Sequence, residues 1–484
     1  MKKGNRVASG IEGLDTILKG GYLKNRTYLL KGGPGTGKTT LGLHFLEEGV
    51  VNNENCLFIN LEESKKELIN DAKNFNFNID KIEILDLTPG GEYLKEKEYD
   101  VFSPSEVEQI PLIDKIRTKI KEMKPDRLVF DGLSNLYYLY ESKYKLRKSI
   151  ISLIQYLGEF NITSIFITED SSGIDNILEY IASGVINLEF DGYERRLNIV
   201  KFRGSDHLKN FHTLNITNKG LNILPNLYYK KNVKDLGSEV LSSSVKEINK
   251  ILNGGIEVST NTIIIGPTGV GKTTLGLNII RETVKSGKKA VVYLFEEAEM
   301  VLRKRCEGIN MSLEELIAND NLLIKSVSSL EYNPIEFSNI VREDINNNDI
   351  DIVMFDSITG YNLSFAYNYY SKTDLLNHLH NLSNYLTNVG ITVLMTDEME
   401  SITGDFESKE MGMSYLADNI IFLRYLEMDG KINKVIGVLK KRLSGFENTI
   451  REYKITTEGI KVGEPITNVI GILKNDIKIL DNNK

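Results

Sequence analysis

A chain of 484 residues is long enough for two to four domains of about 100–200 residues each. With 41% hydrophobic residues, 26% charged residues and only 9 prolines, it carries apolar material for more than one core, which excludes disordered and fibrous classes. The 67 acidic against 59 basic side chains leave a net charge of −8, a poor balance for unspecific nucleic-acid binding, which depends on neutralising phosphates.

Cys56 and Cys306 lie too far apart in sequence to suggest a metal-ligand pair or a disulfide framework, as expected of a reducing cytosol. The opening MKKGNRVASG has a basic end but no apolar stretch behind it, unlike a signal peptide. No apolar run reaches the roughly 18 residues that cross a bilayer. These features predict a soluble, cytoplasmic protein without a membrane partner.

In chain order, TYLLKG (27–32) is a β-rich run entering a glycine loop, and TTLGLHFLEEGVV (39–51) follows with helical spacing. CLFINLE (56–62), RLVFDGL (127–133) and SIFITED (164–170) read as short, almost continuously apolar strands. Such runs suit a parallel sheet covered on both faces, an α/β architecture. RRLNIVKFRG (195–204) reads as a hairpin strand closing the sheet, and the polar stretch around 229–238 as a linker.

The order then repeats. Residues 9–46 align without a gap with residues 243–280, placing Lys38 and Lys272 234 positions apart. AVVYLFE (290–296), IVMFDSI (352–358), TVLMTDE (392–398) and NKVIGVLKKR (433–442) recapitulate the later strands. A period above 200 residues indicates duplicated domains rather than a solenoid. The expected division is a first domain at 1–230, a linker at 231–240 and a second domain at 241–484.

Each half carries G-x-x-x-x-G-K-[ST] between a predicted strand and helix: Gly32, Gly33, Pro34, Gly35, Thr36, Gly37, Lys38, Thr39, then Thr40, and Gly266, Pro267, Thr268, Gly269, Val270, Gly271, Lys272, Thr273, then Thr274. Such a loop wraps backbone N–H groups around phosphates, with a helix N-terminus adding positive potential. Lys38 and Lys272 are placed to reach β- and γ-phosphates, and Thr39 and Thr273 to offer a hydroxyl to Mg²⁺. Asp131 and Asp356 end apolar strands, where a carboxylate suits the same ion. Glu62-Glu63 and Glu296-Glu297 follow each lysine by 24 residues. All four glutamates are catalytic candidates: in each pair the first is the expected base for an attacking water, and Glu62 and Glu296 are also candidates to touch the metal. Strand alternation should turn one of each pair to the nucleotide and the other, Glu63 or Glu297, to a neighbour or to Mg²⁺-bound water. The competing reading is an acidic start to a helix.

These features, with S-G-x-x-x-L-D-x-x-L-x-G-G at 9–21, F-x-x-x-E-E-S at 58–64 and [VI]-x-K-x-R-G-S-x-H at 199–207, resemble the KaiC family of double-domain RecA-like ATPases over nearly the whole chain. The resemblance implies two tandem RecA-like P-loop domains, each a mostly parallel twisted sheet flanked by helices. It also implies Mg·ATP held between subunits of a homo-hexamer acting as a switch on a regulatory protein. Lys201 and Arg203 would then touch the γ-phosphate of a neighbour's ATP, with Phe202, Ser205 and His207 beside the nucleotide. The second half keeps Lys440 and Arg442, but Lys441 and Leu443 depart from the motif and SGFEN replaces Ser-x-His. Family members also phosphorylate a serine or threonine in the second domain, and Ser414 is the surviving candidate here.

A DNA-dependent ATPase or helicase of the RecA or RadA kind is the alternative. Against it, residues 168–184 hold four acids and no Lys or Arg, and residues 397–416 hold six acids and one lysine, a poor surface for a polyanion. His44, His212, Cys56 and Cys306 are read as packing residues.

Overall fold

The computed structural model describes residues 5–88, 109–136, 140, 142–169, 175–226, 239–328, 331–365, 371–398, 417–428, 430–467, 469–470 and 478–479. The chain divides into two compact units, Met1–Asn226 and Leu227–Lys484.

The first unit is built on nine strands: β1 (Thr27–Gly32), β2 (Cys56–Asn60), β3 (Glu83–Asp86), β4 (Arg127–Asp131), β5 (Thr163–Thr168), β6 (Gly184–Phe190), β7 (Arg195–Phe202), β8 (His212–Thr217) and β9 (Gly220–Leu224). Their order in the sheet is β9-β8-β7-β6-β1-β5-β4-β2-β3, parallel from β6 to β3 and antiparallel from β6 to β9. The second unit repeats this with β10 (Asn261–Gly266), β11 (Ala290–Leu294), β12 (Leu322–Ser326), β13 (Ile352–Asp356), β14 (Thr392–Glu398), β15 (Asn419–Met428), β16 (Lys431–Lys441), β17 (Arg451–Thr456) and β18 (Gly459–Pro465). Its order is β12-β11-β13-β14-β10-β15-β16-β17-β18.

The near-continuous apolar strands serve two cores at once. Tyr28, Leu30, Phe58, Val129, Ile165 and Ile167 pack on one face against helix α1 (Lys38–Val51). Their neighbours Leu29, Leu57, Ile59, Leu128, Phe130 and Phe166 pack on the other, against Ile116, Leu146 and Leu153. Period-2 alternation with both faces covered explains why polar residues are scarce in these strands. The same division recurs in the second unit, where the helix Lys272–Lys285 covers one face.

RRLNIVKFRG and NKVIGVLKKR are antiparallel strands but do not close their sheets, because β8 and β9, and β17 and β18, add two more strands outside each. CLFIN ends at Asn60 and AVVYL at Leu294, so both glutamate pairs lie beyond the strand, where strand alternation cannot direct them. Conversely, β14 runs to Glu398, so Asp397 and Glu398 belong to the sheet rather than to an acidic loop. His44 and His212 pack as expected, the first accepting Leu221 N–H and the second Asn226 N–H. Cys56 and Cys306 are buried, free thiols. Among the described residues no helix is long and apolar enough to cross a membrane.

Candidate nucleotide sites

In each unit the central strand, β1 or β10, ends in a glycine that cannot carry a side chain. A Cβ on Gly32 would lie 2.5 Å from Leu188 O, and one on Gly266 2.4 Å from Leu423 O. The loop then turns into helix α1 or into α3 (Lys272–Lys285), each capped by a left-handed glycine, Gly37 (φ 94°) or Gly271 (φ 114°). Gly33 and Gly35 face open space, with no atom within 4 Å of a built Cβ. A phosphate fits such a cradle, lined by helix N–H groups, and side chains there would fill it.

Lys38 Nζ donates to Gly33 O at 2.8 Å, and Lys272 Nζ to Gly266 O at 2.9 Å and Pro267 O at 3.1 Å. Both ammonium groups therefore sit over the loops that sequence assigned them to. Thr39 Oγ1 donates to Asp131 Oδ2 at 2.7 Å, and Thr273 Oγ1 to Asp356 Oδ1 at 3.1 Å. A hydroxyl and a carboxylate so placed form a hard-oxygen set that fits Mg²⁺. Burial raises the Asp131 carboxyl to about 6, against the lowering effect of the Thr39 hydrogen bond, and burial also raises Asp356.

Thr36 donates to Gly33 O, bracing the first loop, and Thr268 donates to Glu398 Oε1 at 2.7 Å. Thr40 is half-buried in the first turn of α1 and Thr274 is buried in that of α3. Val270 is buried in the core, so only its backbone is available to a ligand.

The glutamates diverge without a strand to make them do so. Glu62 is exposed and accepts Asn135 Nδ2–H at 3.2 Å, and desolvation and Glu169 raise its carboxyl while Lys38 opposes them. Glu63 is pushed up to about 7 by burial, with Asp71, Asp131 and Glu67 adding to it. In the second unit Glu296 accepts Ser357 Oγ–H, and Glu297 is ion-paired to Arg305 Nη2 at 2.7 Å. Glu296, Glu297, Arg305, Lys272, Thr273, Asp356 and Glu398 line one cleft of about 450 Å³. Among the described residues no cluster of three or more His, Cys, Asp or Glu is arranged to hold a metal, so Mg²⁺ here needs the hydroxyls and a ligand's phosphate oxygens.

Sequence reasoning missed two cations that brace the loops. Arg195 Nε donates to Gly35 O at 2.8 Å with its guanidinium 4.1 Å from the Phe190 ring centre. Lys434 Nζ donates to Gly269 O at 2.9 Å and lies 5.8 Å from the Tyr425 ring. The signal was present, because Arg195 and Lys434 stand as far apart as Lys201 and Lys440, 239 positions. Glu398, 3.9 Å from Lys272 Nζ, was also missed, hidden in the count of loop acids.

Lys201 and Arg203 share one side, both donating to carbonyls at the C-terminal end of α2 (Asp175–Ile181): Lys201 to Glu179 O and Tyr180 O, and Arg203 to Tyr180 O at 3.2 Å. A bulge between Val185 and Ile186 on β6 leaves Val200 unpaired on β7 and re-aims the strand end. Register places this end far from its own phosphate loop. Gly32 lies beside Leu188, whereas Phe202 lies beside Gly184 and Gly184 beside Tyr28, four residues back along β1. Four residues span about 13 Å. Phe202 does not extend outward: it is 7% exposed and its ring stacks on Tyr28 at 5.7 Å, which places its side chain in its own core. Ser205 accepts from Arg6 and donates to Asp206 O, and His207 is half-buried.

Lys440 donates to Ala417 O and Arg442 pairs with Asp418 at 3.1 Å, again at the strand end away from Gly266 and again after a bulge. Lys441, the departure from the motif, is buried against Glu257 at 2.9 Å. Ser414 lies outside the described residues.

The sequence profile of the family described as "ATPase: KaiC" matches residues 7–228 and again 241–466. The chain is 26% identical over 479 residues to the circadian clock oscillator protein KaiC of Nostoc sp., covering 96% of this chain and 90% of that protein. It is 26% identical over 485 residues to KaiC of Thermosynechococcus vestitus (97% and 91%) and 26% over 490 residues to the circadian clock protein KaiC3 of Synechocystis sp. (97% and 94%). Two phosphate loops in duplicated α/β units and a profile that matches both units lead to one conclusion: the chain belongs to the KaiC family of ATPases.

Proposed function

We propose that this ATPase works as a homo-hexameric ring in which each Mg·ATP lies between two subunits, and that the nucleotide state of the ring switches its contact with a regulatory protein. The observation that carries this reading is the register of β6 and β7, by which Lys201 and Arg203 emerge at the end of the sheet remote from their own phosphate loop. A guanidinium and an ammonium so placed serve a neighbour's nucleotide, where fixed positive charge stabilises the phosphoryl group in transfer.

Within each site the phosphate-loop amides and Lys38 or Lys272 bind the phosphates. Thr39 with Asp131, or Thr273 with Asp356, would hold Mg²⁺, which when bound neutralises charge on the phosphate oxygens. Glu62 or Glu296 takes the proton of the attacking water. The first site carries most of the turnover, because its Lys-x-Arg strand end keeps the whole motif. The second domain phosphorylates Ser414, a reading that rests on the resemblance and that intact-mass measurement after incubation with ATP tests.

The assembly is tested by light scattering with and without ATP. The proposal expects six copies with ATP. A monomer that hydrolyses ATP at an undiminished rate would refute it. A DNA motor of the same fold would instead raise phosphate release on adding single-stranded DNA, which the net charge of −8 argues against.

A further inference from the structure

The turn that follows each strand-end aspartate differs between the two units in a reciprocal way. In the first it reads Asp131-Gly132-Leu133-Ser134-Asn135, and in the second Asp356-Ser357-Ile358-Thr359-Gly360. Glycine and hydrogen-bond donor have exchanged places.

In the first unit Asn135 reaches back over the turn. Its Nδ2 donates to Leu61 O at 2.8 Å and to Glu62 Oε2 at 3.2 Å. Position 132 must then be bare, for a Cβ on Gly132 would lie 2.9 Å from Glu62 N and 3.0 Å from Glu62 Oε2. In the second unit Ser357 Oγ donates to Glu296 Oε1. The same oxygen accepts Gly360 N–H at 3.0 Å, and that directs the single hydroxyl proton to the carboxylate. Here position 360 must be bare, since a Cβ on Gly360 would lie 2.8 Å from Glu296 Cγ and 2.9 Å from Glu296 Oε1.

We infer that Asn135 in the first domain and Ser357 in the second are positioning residues that fix the carboxylate of Glu62 and of Glu296 by one neutral hydrogen bond, delivered from opposite ends of the same turn. A neutral donor orients a carboxylate without neutralising it, so the group stays basic toward water. The inference rests on the reading of Glu62 and Glu296 as bases. A carboxylate left to rotate loses much of the advantage of a placed base, because misplacement by about 1 Å costs on the order of a hundredfold.

The experiment measures steady-state hydrolysis and nucleotide affinity of the full chain in two backgrounds, Glu296→Gln to report the first site and Glu62→Gln to report the second. Asn135→Ala in the first and Ser357→Ala in the second should each lower kcat by about tenfold or more, with nucleotide Kd changed less than about threefold. Asn135→Asp, which keeps the shape but replaces the donor with a charge facing Glu62, should lower kcat at least as far. Ser357→Thr, which keeps the hydroxyl, should retain more activity than Ser357→Ala. Unchanged kcat in both alanine variants, or losses of kcat and affinity in equal measure, would overturn the inference. Turnover that survives Glu62→Gln combined with Glu296→Gln would overturn the base reading itself, and the inference with it. Turnover lost in that double variant but kept in Asn135→Ala and Ser357→Ala would overturn the inference alone.

Discussion

Lys38 and Lys272 rest on carbonyls of their own loops, which stand in for the phosphate oxygens that such an ammonium would bind. Replacing either by alanine removes the charge without touching the other unit's core. Lys38→Ala and Lys272→Ala are each expected to reduce the nucleotides bound per chain from two to one in equilibrium binding, and a wild type that binds one would contradict this. His212 is fully buried, and its Nδ1 accepts Asn226 N–H. Burial lowers its pKa from 6.5 to about 4. The unfolded chain therefore binds the extra proton first as pH falls, so this contribution to stability is present above about 6.5 and is lost between there and about 4. His212→Asn keeps an acceptor for the amide but does not titrate. Its chemical-denaturation midpoint should fall less steeply than the wild type's between pH 6.5 and 4.

Strands and loops were legible in the sequence wherever one constraint dominated. A strand buried on both faces leaves a continuous apolar run, and a phosphate loop leaves fixed glycines, so TYLLKG with its loop was found at its observed place and the second loop was found by the repeat. Strand ends were less legible, because leucine and phenylalanine serve equally in the last strand residue and in the turn beyond it. Thus CLFINLE was read through to Glu62, though the strand stops at Asn60. The hairpin β6–β7 hid a bulge at Val200, since an unpaired residue leaves no mark on composition. Arg195 and Lys434 were missed because a cation on an antiparallel strand looks like a solvated face. Their hydrogen bonds hold the crest of each loop at a left-handed glycine, Gly35 (φ 70°) or Gly269 (φ 77°). Removing one such charged donor from a partly exposed site costs about 1 kcal/mol. Arg195→Ala should therefore weaken nucleotide binding at the first site about fivefold by calorimetry, with the second site unaffected.

At the scale of the whole molecule, two similar units carry sites of unequal make-up. The first has Lys201 and Arg203 followed by glycine, Ser205 and His207. The second has a buried Lys441 tied to Glu257 and an Arg442 tied to Asp418, which ties that arginine to its own chain. The expected consequence is that Glu62→Gln lowers total ATP turnover far more than Glu296→Gln, since a general base is worth about 10²–10⁴-fold at its own site. Equal losses would mean that the second site hydrolyses as fast as the first. In the proposed ring one subunit's Arg203 completes the site formed by the next subunit's Glu62. Arg203→Ala chains and Glu62→Gln chains should each be inactive at the first site as pure rings, whereas rings mixed from the two contain some interfaces with both residues intact. Phosphate release from such mixtures, with subunit exchange verified and Glu296→Gln present in both chains, should rise well above that of either parent. Release no greater than that of the parents would mean that Arg203 acts within its own chain or not at all.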